Sequence, residues 1–276
     1  MSRPGNPADA DARFADTRKA FDSVAADYDG PRGNNALIQK MRATMWSTLG
    51  RTFAPGARLL DLGCGTGLDA VHLAGLGHEV VATDWSPNMV ERTRERAQQA
   101  ELSHRVSVAA LGIQELDRLD GEPFDGIYSN LGPLNCVSDL RKVARDCARL
   151  LKPDGRIIAS VIGRVCPWEY AYYALRGNHA RARLRFARGP VSINLNRHTL
   201  WAEYFTPREF CQAFENEFEL ETYRGLSLFV PPPYLIDHWQ RWPRLGSALE
   251  GLDHRLGALP LFRDAGDHFL MVLKKA

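Results

Sequence analysis

No stretch of the 276 residues is apolar for long enough to span a bilayer, so no membrane-crossing helix is expected. Residues 1–16, rich in Ala, Asp and Pro, lack the apolar core of a signal peptide, and residues 1–17 are expected to form a disordered tail. The five cysteines, Cys64, Cys136, Cys147, Cys166 and Cys211, form no C-x-x-C pair and share no spacing with histidine. Neither a zinc site nor a disulfide framework is therefore expected, no metal is assigned, and the compartment is read as reducing and cytoplasmic. Charge is nearly balanced: a net +2 gives no electrostatic case for DNA or for an acidic partner. What remains is the composition of a globular chain that can bury one full core, as a single domain with insertions.

The chain is organised around Leu59-Leu60-Asp61-Leu62-Gly63-Cys64-Gly65-Thr66-Gly67-Leu68. A short apolar run reads as a buried parallel strand, then breaks into a loop with glycine at three alternate positions before a helical pattern resumes. Such a corner brings backbone close to a ligand beside the free N–H groups of a helix start. Asp84 closes the next apolar run, Val80–Thr83, where an acid can accept both hydroxyls of a ribose. A dinucleotide fingerprint would need G-x-G-x-x-G, but the position of its third glycine is held by Leu68. That disfavours a pyrophosphate cradle and a nicotinamide oxidoreductase. With Asp61 and Asp84 flanking it, the site suits a ligand carrying a ribose and a positive charge.

At these residues the chain resembles the class I S-adenosylmethionine (SAM)-dependent methyltransferases, whose first motif looks like LDLGCGTG followed by an acid at the end of the second strand. The resemblance covers roughly residues 18–163. It implies SAM as cofactor and an α/β fold: a Rossmann-like, doubly wound, seven-stranded sheet with the last strand antiparallel. The segments it brings to SAM contain Tyr28, Asp61, Gly63, Cys64, Gly65, Gly67, Asp84, Trp85, Met89, Gly112, Ile113, Gln114, Asn130 and Leu131. Tyr28, in a run like the family's Ala-x-x-Tyr-Asp, is a lid contact or packs its helix onto the sheet. Family members often carry an acid where Gly112 stands; either the Gln114 side chain or a backbone carbonyl would then receive the adenine amine. The segment Ser129–Asn135 lacks the Asn-Pro-Pro-aromatic run of enzymes that methylate nucleic-acid bases.

The pattern divides residues 18–276 into an N-terminal helical lid (18–54), a SAM-binding core (55–163) and two cap insertions (164–206 and 225–266). The core alternates strand and helix, with strands at 79–83, 105–109, 124–129 and 156–162 and a turn at Lys152-Pro153-Asp154-Gly155. Thr206-Pro207-Arg208-Glu209 reads as a capping box, followed by strands at 218–223 and 268–273. In the first insertion, Arg176, Arg181, Arg183, Arg185 and Arg188 are either a patch for an anionic substrate or a solvated helix face. In the second, Trp239, Trp242, Leu245, Leu249, Leu252 and Leu256 keep helical spacing. They are core, a homodimer seam, or, beside His238, Arg241 and Arg244, a wall for a membrane edge or a lipophilic acceptor. His198, Glu203 and Tyr204 lie where an acceptor base would be sought, and no catalytic residue is assigned. The expected reaction is methyl transfer to a small hydrophobic or aromatic acceptor, such as a quinone precursor, a lipid or a secondary metabolite. The alternatives are a protein or RNA acceptor, or a SAM-binding protein without catalysis.

Overall fold

Apolar strands separated by amphipathic helices can bury both sheet faces only by alternating crossovers, and the computed structural model, which describes residues 7–239 and 243–276, has that arrangement. Strands β1 (Arg58–Leu62), β2 (Glu79–Asp84), β3 (Val106–Ala110), β4 (Phe124–Ser129) and β5 (Leu151–Ile162) run parallel. Two strands of a hairpin in the cap, β6 (Val191–Leu195) and β7 (His198–Ala202), form their own small sheet. Strand β8 (Phe218–Leu226) and the final β9 (His268–Lys275) complete a seven-stranded sheet of order β3-β2-β1-β4-β5-β9-β8. The last strand is antiparallel to both neighbours. The order reverses between β1 and β4, so their C-terminal ends open onto a crevice.

Helices α1 (Pro7–Val24) and α2 (Ala36–Thr52) precede the sheet; α3 (Leu68–Gly75), α4 (Pro87–Gln99) and α5 (Leu140–Leu150) are its crossovers. Asn35 caps α2 by accepting from the Leu37 and Ile38 amides, and the stripe Leu37, Met41, Met45 and Leu49 is buried. Ser86 caps α4 through the Met89 amide, with Pro87 at its first turn. The cap insertions contribute α6 (Pro167–Leu175), α7 (His179–Ala182), α9 (Ile236–Trp239) and α10 (Pro243–Leu256), with α8 (Pro207–Phe214) between them. The capping box before α8 forms in both directions between Thr206 and Glu209. One sheet face is filled by Phe210, Phe214 and Phe218 with α5; the other by Met41, Met45 and Leu49 with α3.

Three expectations change. Residues 7–17 belong to a helix rather than a tail: α1 starts at Pro7 and packs on β7, where Thr17 Oγ1 accepts from the Trp201 amide at 3.1 Å. Its alanines favour a helix, and its partner is a strand 184 residues away. Residues 1–6 lie outside the described residues. The first insertion contains a hairpin whose turn places Asn196 at φ 49° and Arg197 at φ 66°. The expected turn at 152–155 is instead an excursion within β5, as pairing with β4 jumps from Phe124↔Leu151 to Gly126↔Arg156 and Asp154 takes φ 62°. In the second insertion Trp239 and Leu249 pack against Leu37, Val230 and Ile236, whereas Leu252 is exposed. Arg241 and Trp242 of that stripe lie outside the described residues, as do the side chains of His238, Arg244 and Leu245.

The cap is pinned to the sheet by a buried charge cluster. Arg185 pairs with Glu169 at 2.7 Å and with Asp267 at 2.5 Å, and donates to the Gly163 carbonyl. Tyr234 donates to Glu169 from the second insertion. Burial works against the Asp267 carboxylate, but Arg185 and His268 outweigh it and hold its pKa well below the usual range. The stabilisation is therefore present above the unfolded value and fades as pH falls below about 4. Arg185→Met strands two buried carboxylates and is expected to cost about 3–5 kcal/mol in urea unfolding at pH 7. An unchanged midpoint would show that the cluster adds nothing to folding.

Candidate active site

The loop after β1 is locked to β2 by its own backbone. The amides of Gly63 and Cys64 both donate to the Thr83 carbonyl, each at 2.9 Å. The Gly65 amide donates to Asp84 Oδ2 at 3.0 Å, and the Ser86 amide to Asp84 Oδ1 at 2.9 Å. Gly63 has φ 76°, and a Cβ there would lie 2.4 Å from the Pro133 side chain. Burial pushes the Asp84 carboxyl up to about 6 despite those two amides. From the other side Asp29 accepts from Thr66 Oγ1 at 2.8 Å and pairs with Arg96, which holds the turn carrying Tyr28 over the loop.

A cavity of about 300 Å³ opens above these groups, within the range of small-molecule sites. Of the residues singled out in the sequence, Tyr28, Gly63, Cys64, Gly65, Asp84, Trp85, Met89, Ile113, Gln114, Asn130 and Leu131 line it. Asp61, Gly67 and Gly112 do not. Asp61 is 2% exposed beneath the loop, accepts from Tyr128 Oη at 3.0 Å, and is pushed well above the carboxylate range by burial and then by Asp69. Asp69, eight residues further on in the first turn of α3, lines the cavity in its place, together with Asp84. Gly67 serves packing: a Cβ there would meet Thr93 of α4 at 2.8 Å. At Gly112 a Cβ would lie 2.6 Å from the Gln114 amide, which fills the space that an acid would occupy.

Other wall residues had escaped the sequence reading. Arg42 comes from α2, where it is buried beside the stripe of Leu37, Met41 and Met45. Ile193, Leu195 and Leu200 come from the hairpin; Ile193 and Leu200 are directly paired and so share a face. The alternation Val191, Ile193, Leu195 followed by an asparagine turn was the signal available for it. None of His198, Glu203 and Tyr204 lines this cavity. His198 is exposed, Glu203 faces a second cavity of about 320 Å³, and Tyr204 is buried beside the Arg185 guanidinium. The basic run is divided: Arg185 is interior, while Arg176 and Arg181 stack on Tyr172 and Tyr173.

A methyltransferase domain family model matches residues 59–155. A ubiquinone biosynthesis O-methyltransferase of Xanthomonas oryzae pv. oryzae is 31% identical over 225 residues, covering 81% of this chain and 84% of that protein. The chain belongs to the class I SAM-dependent methyltransferases. Two solved structures share the methyltransferase's fold at lower identity. The Burkholderia thailandensis 1,6-didemethyltoxoflavin-N1-methyltransferase, with bound substrate and S-adenosylhomocysteine (SAH), aligns at TM-score 0.58 and 20% identity over 100% of this chain and 93% of that one. The [4+2]-cyclase SpnF aligns at TM-score 0.56 and 18% identity, over 84% of this chain and 80% of that one. The sheet is thus shared by proteins named as a methyltransferase and as a cyclase, and the fold alone does not fix the reaction.

Part of the methyltransferase's cavity wall is built from residues with unpaired buried polar atoms. Among the described residues, Arg42 Nε, Gln114 Oε1 and Asn130 Oδ1 are buried without a protein partner, and all three residues line the wall. Leu131 stands beside them at φ 63°, an uncommon conformation for a branched side chain. Gly63→Ala drives a methyl group against Pro133 in a left-handed backbone, and SAH affinity is expected to fall at least about 10-fold by calorimetry. Wild-type affinity in that variant would mean that the loop can move aside.

Proposed function

We propose that this methyltransferase transfers the methyl group of SAM to the hydroxyl of a small, apolar, aromatic acceptor. The observation that carries the acceptor class is the wall contributed by the hairpin, where Ile193, Leu195 and Leu200 face Val137 and Ile162 across the cavity. An apolar wall of this kind gains roughly 25 cal/mol per Å² of apolar ligand surface taken from water, and it penalises a charged acceptor. The relatives named ubiquinone biosynthesis O-methyltransferases support the same class. The arginine run does not reach the cavity: Arg185 is interior, while Arg176, Arg181, Arg183 and Arg188 are exposed on the insertion and none of the five lines the wall.

In this reading Gln114 Oε1 receives the adenine amine, the Asp84 carboxylate the ribose hydroxyls, and Arg42 with Asn130 the amino-acid end of SAM. Bound SAM supplies an electrophilic methyl group on a sulfonium. The acceptor oxygen forms a bond to that carbon as the carbon–sulfur bond breaks, and its electron pair leaves on sulfur. The protein's share is alignment and exclusion of water, worth up to about 7–11 kcal/mol in favourable cases. Burial pushes the Tyr28 phenol and the Cys136 thiol up to about 12, so neither takes a proton near neutral pH. The acceptor hydroxyl therefore gives its proton to solvent and attacks as the phenolate, which favours a catechol or another acidic phenol.

The test is transfer from radiolabelled SAM to a catechol with an isoprenoid tail, to bulk RNA and to denatured protein. Turnover on the catechol alone is expected; labelled RNA or protein, or tight SAH binding with no turnover on any of the three, would sink the reading. Leu200→Glu places a charge in the apolar wall and is expected to lower catechol turnover at least about 100-fold while SAH affinity stays within about threefold. Asp84 accepts best as a carboxylate, so SAH affinity is expected to rise between pH 5 and pH 7 with a midpoint near its value of about 6. Calorimetry across that range should show the rise in the wild type and a flat profile in Asp84→Asn; a rise in both would assign it to another group.

A further inference from the structure

Asp69 sits in the first turn of α3, 6% exposed, with three donors on one carboxylate. Trp46 Nε1 donates to Oδ1 at 2.6 Å, Asn130 Nδ2 donates to Oδ2 at 3.1 Å, and Arg42 Nη1 forms an ion pair with the same Oδ2. The Trp46 indole is braced from behind by the His72 ring, stacked at 3.6 Å and nearly parallel. One side chain thus ties α2, α3 and the loop after β4 together at the cavity wall.

The consequence lies in what these contacts leave over. An asparagine amide can present either end to a cavity, and an arginine has many rotamers. Because the carboxylate can only accept, Asn130 must turn its nitrogen toward Asp69, and its oxygen remains unpartnered. Because Arg42 Nη1 is held by the same oxygen, the guanidinium is fixed at one corner, and its Nε remains unpartnered. The free groups are one cationic donor and one neutral acceptor, both buried, on two residues held by the same carboxylate oxygen. That pair is complementary to a group carrying a carboxylate and an ammonium on one carbon.

We infer that Asp69 is a positioning residue for the amino-acid end of SAM: by accepting from Arg42 and Asn130 together, it aims a guanidinium at the carboxylate and an amide oxygen at the ammonium. The inference rests on the SAM orientation proposed above. It assigns Asp69 no contact with the transferred methyl group or with the acceptor. The negative charge also offsets the burial of Arg42, which would otherwise be an isolated cation in a low-dielectric wall.

The experiment compares two ligands that differ in the tail. SAH carries the amino-acid end, whereas 5′-methylthioadenosine keeps the adenosine and sulfur and lacks it. Asp69→Asn is expected to weaken SAH by about 10- to 100-fold and leave methylthioadenosine within about twofold, with the loss in turnover appearing in the SAM KM rather than in kcat. A merely structural role would lower both affinities together, and that result overturns the inference, as does an unchanged SAH affinity. A wild type that binds the two ligands equally well overturns the tail placement itself, and this inference with it. Should Asp69→Asn fail to fold, Arg42→Met is compared with Arg42→Met/Asp69→Asn, which removes the ion pair as a unit. SAH affinities within about threefold of each other support action through Arg42. A further loss no larger than that of Asn130→Ala belongs to the second partner and supports the inference; a larger one overturns it, because Asp69 would then be holding the tail directly.

Discussion

Everything in this molecule is placed by the junction between β1 and β2. The Thr83 carbonyl takes the amides of Gly63 and Cys64, and the Asp84 carboxylate takes those of Gly65 and Ser86. These four donors come from backbone that leaves regular pairing, so they would be orphaned without those acceptors. Satisfying them fixes the loop in the left-handed conformations that only glycine adopts freely at Gly63, Gly65 and Gly67. The cost is a buried carboxyl whose ionisation is delayed to about 6.

Around that rigid floor the walls are assembled from distant parts of the chain. Arg42 comes from a helix before the sheet, Gln114 from the turn after β3, and Asn130 from the loop after β4. The apolar side comes from a hairpin in the cap. The hairpin is held by α1, through Thr17 and the Trp201 amide, and Asn196 at its tip donates to the Ser23 carbonyl. The cap's other anchor is the Arg185 cluster, where a buried cation takes Glu169 from α6 and Asp267 from the approach to β9. Such a cluster discriminates among cap placements, since any other leaves two carboxylates and a guanidinium buried without partners. Its basic composition in the sequence therefore reflects both a fold constraint and a surface, in different residues of one run.

The electrostatics of the floor show why position matters more than residue type. Asp61 and Asp69 are eight positions apart and both buried, yet one is sealed under Tyr128 and the other faces the cavity with three donors. Burial, and then the neighbouring Asp69 carboxylate, push Asp61 well above the carboxylate range, against the pull of Tyr128 and Arg42. The carboxylate at the wall beside Arg42 is therefore the one in the first turn of the helix rather than the one on the strand.

The glycine spacing and Asp84 were sufficient, within the sequence, to establish the corner, because a tight turn restricts the residue types that can build it; alternation of strand and helix gave the doubly wound sheet, and the resemblance these residues carry implied the antiparallel last strand and the cofactor. The stripe of α2, the Ser86 cap and the Thr206–Glu209 box were equally readable, since each lies within a few residues and follows the helix period. Arg42, Asp69 and the hairpin wall were decided only in three dimensions. Arg42 meets Asp69 across 27 residues and Asn130 meets it across 61. An arginine on a helix or an aspartate in a first turn is locally indistinguishable from a solvated one, and only the packing of α2 on α3 converts them into the wall of a site. Gly112 illustrates the same limit in reverse: the sequence shows only that the acid of the resembling family is missing there, and the fold brings the Gln114 amide into the space it leaves.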